Sequence, residues 1–241
     1  MTRIFIDTNV IKFSATKQLG FIPVNKPTRN WYGKKTGYQV ATVGYVNPND
    51  NLRDGSEVKR EAQLLPHIAD LAKNGRIDLY EDTEMQVESM GLPKICSVSG
   101  RFHGAPIKLA TPPLIYSRIF MGPSYAGSPD VLSLNFFKSI SDKRFKEIQK
   151  VTGAYQGKDN YNLNQLIDAF LIWSAEHNQC DYFLTLDFKL IKMVNHDKNK
   201  RVFIKLVRPS ELLKILGTRN PNNAVSLGRI LRSLRSLLMG R

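Results

Sequence analysis

The sequence predicts an α/β fold built around a central parallel sheet. Two short apolar runs, Ile4-Phe5-Ile6 and Tyr182-Phe183-Leu184-Thr185-Leu186, are bounded by polar residues, as strands buried on both faces are. Each ends in an aspartate, Asp7 and Asp187. Between them, Leu163, Leu166, Ile167, Phe170 and Leu171 recur at helical spacing on a segment that leads directly into the second run, so that helix lays one face on the sheet.

Taken in order, the elements are a strand over 3–7 with a helix after it, a helix over 57–73, and a strand over 76–80 followed by a short helix that Thr83 caps. A helix over 162–177, a strand over 182–186, and a strand over 202–207 with a helix over 210–216 complete the core. Two segments interrupt it. Residues 20–56 hold Pro, Gly and a β-branched stretch from Val40 to Val46 and read as a hairpin-like insertion. Residues 92–160 are rich in Gly, Pro and Ser and turn helical around Asp142-Lys143-Arg144-Phe145. One domain therefore spans 1–217 with insertions at about 20–56 and 92–160. A basic amphipathic tail helix occupies 218–241.

The strand-end acids matter because the carboxyl ends of parallel strands line the ligand crevice of open α/β sheets. An ionised carboxylate there must be solvated, paired or bound to metal. The ordinary role of a single strand-end Asp is to cap the next helix. Asp168 adds a third acid, at the edge of the apolar stripe and near the helix start. Its ordinary role is that of a solvated acid near a positive helix end.

Three segments, Arg3-Ile4-Phe5-Ile6-Asp7-Thr8-Asn9-Val10, Asp168-Ala169-Phe170 and Leu184-Thr185-Leu186-Asp187-Phe188, make the chain resemble a PIN domain, a metal-dependent nuclease family. The resemblance implies a PIN-like three-layer fold with a central parallel sheet. It implies that Asp7, Glu88, Asp168 and Asp187 are catalytic and bind metal, with Asn9 and Thr185 as polar supports. Glu84 and Glu88 share a helical face, and Glu88 is preferred for its setting in Val87-Glu88-Ser89, with Glu84 as the alternative. The implied activity is a divalent-metal-dependent endoribonuclease, of the toxin kind within a toxin–antitoxin pair. A non-catalytic RNA-binding PIN module and a structure-selective DNA nuclease are the alternatives. A haloacid-dehalogenase-type phosphatase needs a second Asp two residues after the first, where this chain has Asn9.

Chemistry favours a cation at such a site. Two carboxylates about 4 Å apart repel by roughly 4 kcal/mol at an effective dielectric of about 20, so four in one cleft need a counter-charge. All-oxygen ligation without His or Cys suits Mg²⁺ or Mn²⁺. The metal then supplies hydroxide and stabilises the leaving oxygen in phosphodiester hydrolysis.

Composition supports a polyanionic partner. With 35 Lys and Arg against 21 Asp and Glu, the net charge is +14 while the candidate site is acidic, so basic surface surrounds it. Nucleic acid, RNA before DNA, is the expected partner. Arg29, Trp31, Tyr32, Lys34 and Lys35 interleave bases with aromatics, a pattern that stacks single strands, or else the aromatics pack on the core. In the tail, Leu227, Ile230, Leu231, Leu234 and Leu238 oppose Arg229, Arg232 and Arg235. That helix docks on its own core, on a second copy or on a protein inhibitor. Cys96 and Cys180 have no metal spacing and read as reduced thiols. No apolar run reaches the length of a membrane span, strand-like sequence begins at Arg3, and a cytoplasmic, intracellular location is expected.

Overall fold

Ile4, Phe5 and Ile6 have no exposed surface in β1 (Thr2–Ile6), because the strand is flanked on both edges and covered on both faces. A computed structural model of the chain describes residues 1–15, 17–24, 29–31, 34–36, 40–46, 52–90, 95–96, 101–117, 129–157 and 160–217, and within 17–46, 87–96 and 129–132 it describes the backbone alone. The central sheet has five parallel strands. β1 pairs with β6 (Ile77–Glu81) on one edge and β9 (Tyr182–Leu184) on the other. Beyond β6 lies β8 (Ile107–Leu109), and beyond β9 lies β10 (Lys205–Val207). Register partners Phe5 and Phe183 stack with ring centroids 5.6 Å apart, joining β1 to β9 through one face.

Helices cover the sheet in two groups. α1 (Thr8–Ser14), α2 (Glu57–Ala62), α3 (Leu65–Lys73) and α9 (Pro209–Ile215) pack on one another. α5 (Pro129–Ser139) and α6 (Lys143–Thr152) pack on α7 (Leu163–His177), and α8 (Phe188–Asn195) packs on α6. Phe137, Phe145 and Phe170 from this second group are almost fully buried, with Phe170 in contact with both other rings. The arrangement is an α/β fold of three-layer kind.

Three differences from the sequence reading have physical causes. The single helix expected over 57–73 is two, because Pro66 in the first turn of α3 cannot donate to a carbonyl one turn back and its ring crowds that carbonyl. Segment 92–160 is more than an insertion. It supplies β8, the edge strand beside β6, and the helices that bury Phe145 and Ile148 against α7. An edge strand of three residues with Lys108 at its centre carries no apolar run, and Lys108 instead reaches across to Asp78 at 2.7 Å. Finally, α8 follows Asp187 at once where the sequence reading had no helix.

Within 20–56, β2 (Lys17–Val24) pairs antiparallel with β5 (Val40–Val46), and β3 (Arg29–Trp31) pairs with β4 (Lys34–Thr36). β7 (Ile95–Cys96) joins the other edge of β2. The side chains of Arg29, Trp31, Lys34 and Lys35, all of Tyr32, and the tail 218–241 lie outside the described residues. Among the described residues no helix is long and apolar enough to cross a membrane.

Candidate functional site

Strand order β10-β9-β1-β6-β8 fixes where a ligand crevice can open. From β1 the chain builds outward through β6 and β8 on one side, then returns to build β9 and β10 on the other. The direction of winding therefore reverses between β1 and β9, and crevices at the carboxyl edge form at such a reversal. Asp7 follows β1 there, its backbone N–H donating to the Leu184 carbonyl of β9 at 3.0 Å.

Asp7 stands at the N-cap of α1, but its side chain makes no capping bond. Its Oδ2 instead accepts from Thr185 Oγ1 at 2.6 Å and from Asn9 Nδ2 at 2.6 Å. Thr185 is completely buried, and its hydroxyl also accepts from Asn9 Nδ2 at 3.0 Å and from the Asp187 N–H at 2.9 Å. One donor and two acceptor positions are all that a hydroxyl offers, so Thr185 is saturated. Asn9 Oδ1 accepts from the Leu186 N–H at 3.0 Å, tying α1 to the segment after β9. Asn9 and Thr185 thus hold the Asp7 carboxylate from two sides.

A cavity of about 200 Å³ opens beside this clamp, lined by Asp7, Thr8, Asn9, Lys12, Asn164, Ile167 and Asp168. Asp168, half-buried, reaches it from the second turn of α7, whose N-terminus Asn162 caps by accepting from the Gln165 N–H at 3.2 Å. Helical geometry brings Asn164 alongside, since it precedes Asp168 by four residues. The structure therefore brings Asp7 and Asp168 to one cavity. Asp187 does not line it. Its Oδ1 accepts from the Leu190 N–H at 2.9 Å and caps α8, the ordinary role of a strand-end Asp.

The acids near β6 divide differently. Glu88 falls in α4 (Thr83–Met90), and its side chain lies outside the described residues. Glu84, the alternative to Glu88, is 3% exposed and accepts from the Tyr116 hydroxyl at 2.8 Å. Asp82 was not singled out in the sequence, and it is 1% exposed. Its Oδ2 accepts from Ser174 Oγ of α7 at 2.5 Å and its Oδ1 from the Glu84 N–H at 2.9 Å. Burial pushes the Asp82 carboxyl above the usual aspartate range, and those two bonds only partly oppose it.

Among the described residues no group of three or more His, Cys, Asp or Glu side chains is placed to hold a metal ion. The cavity still offers the donors that Mg²⁺ takes. That ion keeps several waters and binds through one or two carboxylates together with substrate phosphate, and Asp7 and Asp168 supply two carboxylates. Asn9 and Asn164 add hard oxygens, and among the described residues no sulfur or imidazole lines the cavity. Burial pushes the Cys180 thiol up to about 12, so it is no nucleophile. Sequence reasoning missed Lys12 and Asn164, which helical spacing from Thr8 and to Asp168 would have placed on the cavity side. No protein-family model matches the chain, and no curated protein matches it.

Proposed function

We propose that the chain is a divalent-metal-dependent endonuclease of PIN type that hydrolyses RNA phosphodiester bonds, with Asp7 and Asp168 as its central acids. One observation carries this reading: two carboxylates from distant parts of the chain line one cavity at the winding reversal of a parallel sheet. Asp7 and Asp168 would hold Mg²⁺ or Mn²⁺, with Glu88 and Asp187 as further acids by resemblance. Once bound, the metal supplies a hydroxide near neutral pH and a counter-charge for the leaving oxygen.

The chain's own residues prepare that site. Thr185 and Asn9 fix Asp7 Oδ2 with two short bonds, so the carboxylate enters the cavity in one orientation. The net charge of +14 surrounds an acidic cleft with basic surface, which draws in a polyanion. RNA is preferred over DNA, and a toxin role is proposed, on the resemblance alone. A non-catalytic RNA-binding module is the second reading. It is favoured by the cavity gathering two acids among the described residues where the resemblance implies four.

The test is a titration with Mn²⁺ or Mg²⁺ while cleavage of matched RNA and DNA single strands is followed. The expected result is metal-dependent RNA cleavage that Asp7→Asn and Asp168→Asn each reduce by at least about a hundredfold, the scale of lost transition-state charge stabilisation. RNA binding without cleavage at any metal concentration selects the second reading.

A further inference from the structure

Phe203 is 80% exposed in the segment between α8 and β10, yet it is held in place. Its N–H donates to Glu176 Oε1 at 2.7 Å, and the Arg144 guanidinium lies over its ring, 4.0 Å from the centroid. Arg144 is itself fixed, donating to the two oxygens of Glu176 at 2.8 and 2.7 Å and to Glu147 at 3.3 Å. A cation therefore braces one face of the ring and leaves the rest of it in solvent.

The charges around this ring are unequally engaged. Arg201 donates to both oxygens of Asp197, at 2.7 and 3.1 Å. Its guanidinium is pushed up chiefly by those bonds and further by the Glu147 charge, which sets the turn after α8 beside α6. Glu147, Glu176 and Asp197 are thus each held by an arginine, while Asp142 caps α6. The lysines have no such partners. Lys143 and Lys150 stand four residues before and three after Glu147, on its helical face, and Lys198 and Lys200 lie in the turn that Asp197 and Arg201 close. All four are exposed, and among the described residues none forms an ion pair. We propose that this face is a binding surface for single-stranded nucleic acid, with a base stacked on the open side of Phe203 and the neighbouring phosphates on the lysines. Ammoniums left without acids suit a polyanion, as does the net charge of +14, and a single strand adds unpaired rings that a lipid headgroup lacks. Glu176 lies eight residues beyond Asp168, about 12 Å along α7, so the surface is at the other end of that helix from the cavity. The inference goes beyond the nuclease reading, since binding here needs neither metal nor cleavage. The ordinary alternative is a lone surface phenylalanine among solvated lysines.

The experiment measures binding of a fluorescein-labelled oligoribonucleotide, as a single strand and as a duplex, in EDTA and across salt. The proteins are the parent, Phe203→Leu, Phe203→Trp, the double variant Lys198→Ala with Lys200→Ala, and Lys73→Ala, whose lysine is on α3 in the other helical group. Losing one stacked base weakens binding by roughly 5- to 150-fold, so Phe203→Leu should lose that much on the single strand and little on the duplex. Phe203→Trp should keep at least parental affinity. Each phosphate contact contributes about 0.7 to the logarithmic salt slope on a single strand, so between about 50 and 200 mM salt the double variant should lose roughly sevenfold less affinity than the parent. Lys73→Ala should keep the parental slope. Parental binding in Phe203→Leu, equal losses on single strand and duplex, a parental slope in the double variant, or no RNA binding by the parent overturns the inference. So does capture of anionic phospholipid vesicles that Phe203→Leu abolishes while RNA binding is unmoved. A Phe203→Leu protein that binds RNA like the parent and still cleaves it with Mn²⁺ sinks this surface and leaves the nuclease reading standing. The stacking loss in EDTA with no cleavage by the parent at any Mn²⁺ concentration does the reverse.

Discussion

Replacing Thr185 by Val removes a hydroxyl and changes little else in volume, so it isolates what holds Asp7 in place. Thr185 Oγ1 donates to Asp7 Oδ2 at 2.6 Å and accepts from Asn9 Nδ2 and the Asp187 N–H at 3.0 and 2.9 Å. The bond to a charged carboxylate is worth about 1.5–3 kcal/mol, and stranding a buried N–H costs about 1–3 kcal/mol more. Asp7 is 5% exposed, so water cannot readily replace the lost donor. The sum, roughly 2.5–6 kcal/mol, is a large part of a typical domain stability of about 5–15 kcal/mol. Urea unfolding reads it as a fall in midpoint at constant slope. Thr185→Ser keeps the hydroxyl and gives up one methyl, about 1 kcal/mol. A Val variant that loses less than about 1 kcal/mol, or a Ser variant as damaged as Val, would refute the clamp.

Other expectations follow from the same geometry. Asp187→Asn keeps a good N-cap for α8 and should unfold like the parent, whereas Asp187→Ala should cost about 1 kcal/mol by urea titration; cleavage lost in both variants makes Asp187 a metal ligand as well as a cap. Asp82 has a folded pKa raised by burial, so the stability it contributes is present below the ordinary aspartate value and lost as pH rises through the folded one. Asp82→Asn should therefore match or exceed the parent in melting temperature at neutral pH, with the advantage gone below about pH 4; a destabilised Asn variant at neutral pH contradicts this. His103 has its folded pKa lowered, first by burial and then by Lys73, so its contribution is present at neutral pH and lost as pH falls through the folded value. Melting of the parent should drop more steeply below about pH 6.5 than melting of His103→Leu, and parallel curves would contradict it.

What could be read from the sequence follows burial on two faces. β1 and β9 were legible because flanking strands and covering helices make their central positions apolar, and Ile4, Phe5, Phe183 and Leu184 are all fully buried. β8 was hidden because it lies at an edge, with Lys108 and Leu109 exposed. Asp7 and Asp168 were legible as strand-end and helix-start acids, and the structure places them on one cavity. The burial of Glu81, Asp82 and Glu84 was not legible, since nothing local announces it. Their partners Arg101, Ser174 and Tyr116 are distant in sequence, and only the fold brings them near.

Those hidden acids bear on how the edge tolerates so much carboxylate. Phe5 and Tyr80 are register partners, and two positions further on Asp7 and Asp82 leave their adjacent strands at the same level. Neighbouring strands lie about 4.8 Å apart, so two ionised side chains there would repel strongly in a buried setting. Burial moves Asp82 toward its protonated form, in which it still accepts from the Glu84 N–H and exchanges a short hydrogen bond with Ser174. Asp7 has different partners, with Thr185 and Asn9 both donating short hydrogen bonds to one of its oxygens. The fold thus gives two neighbouring aspartates different settings, one buried against Ser174 and the other clamped by Thr185 and Asn9. The clamped one, Asp7, lines the cavity with Asp168.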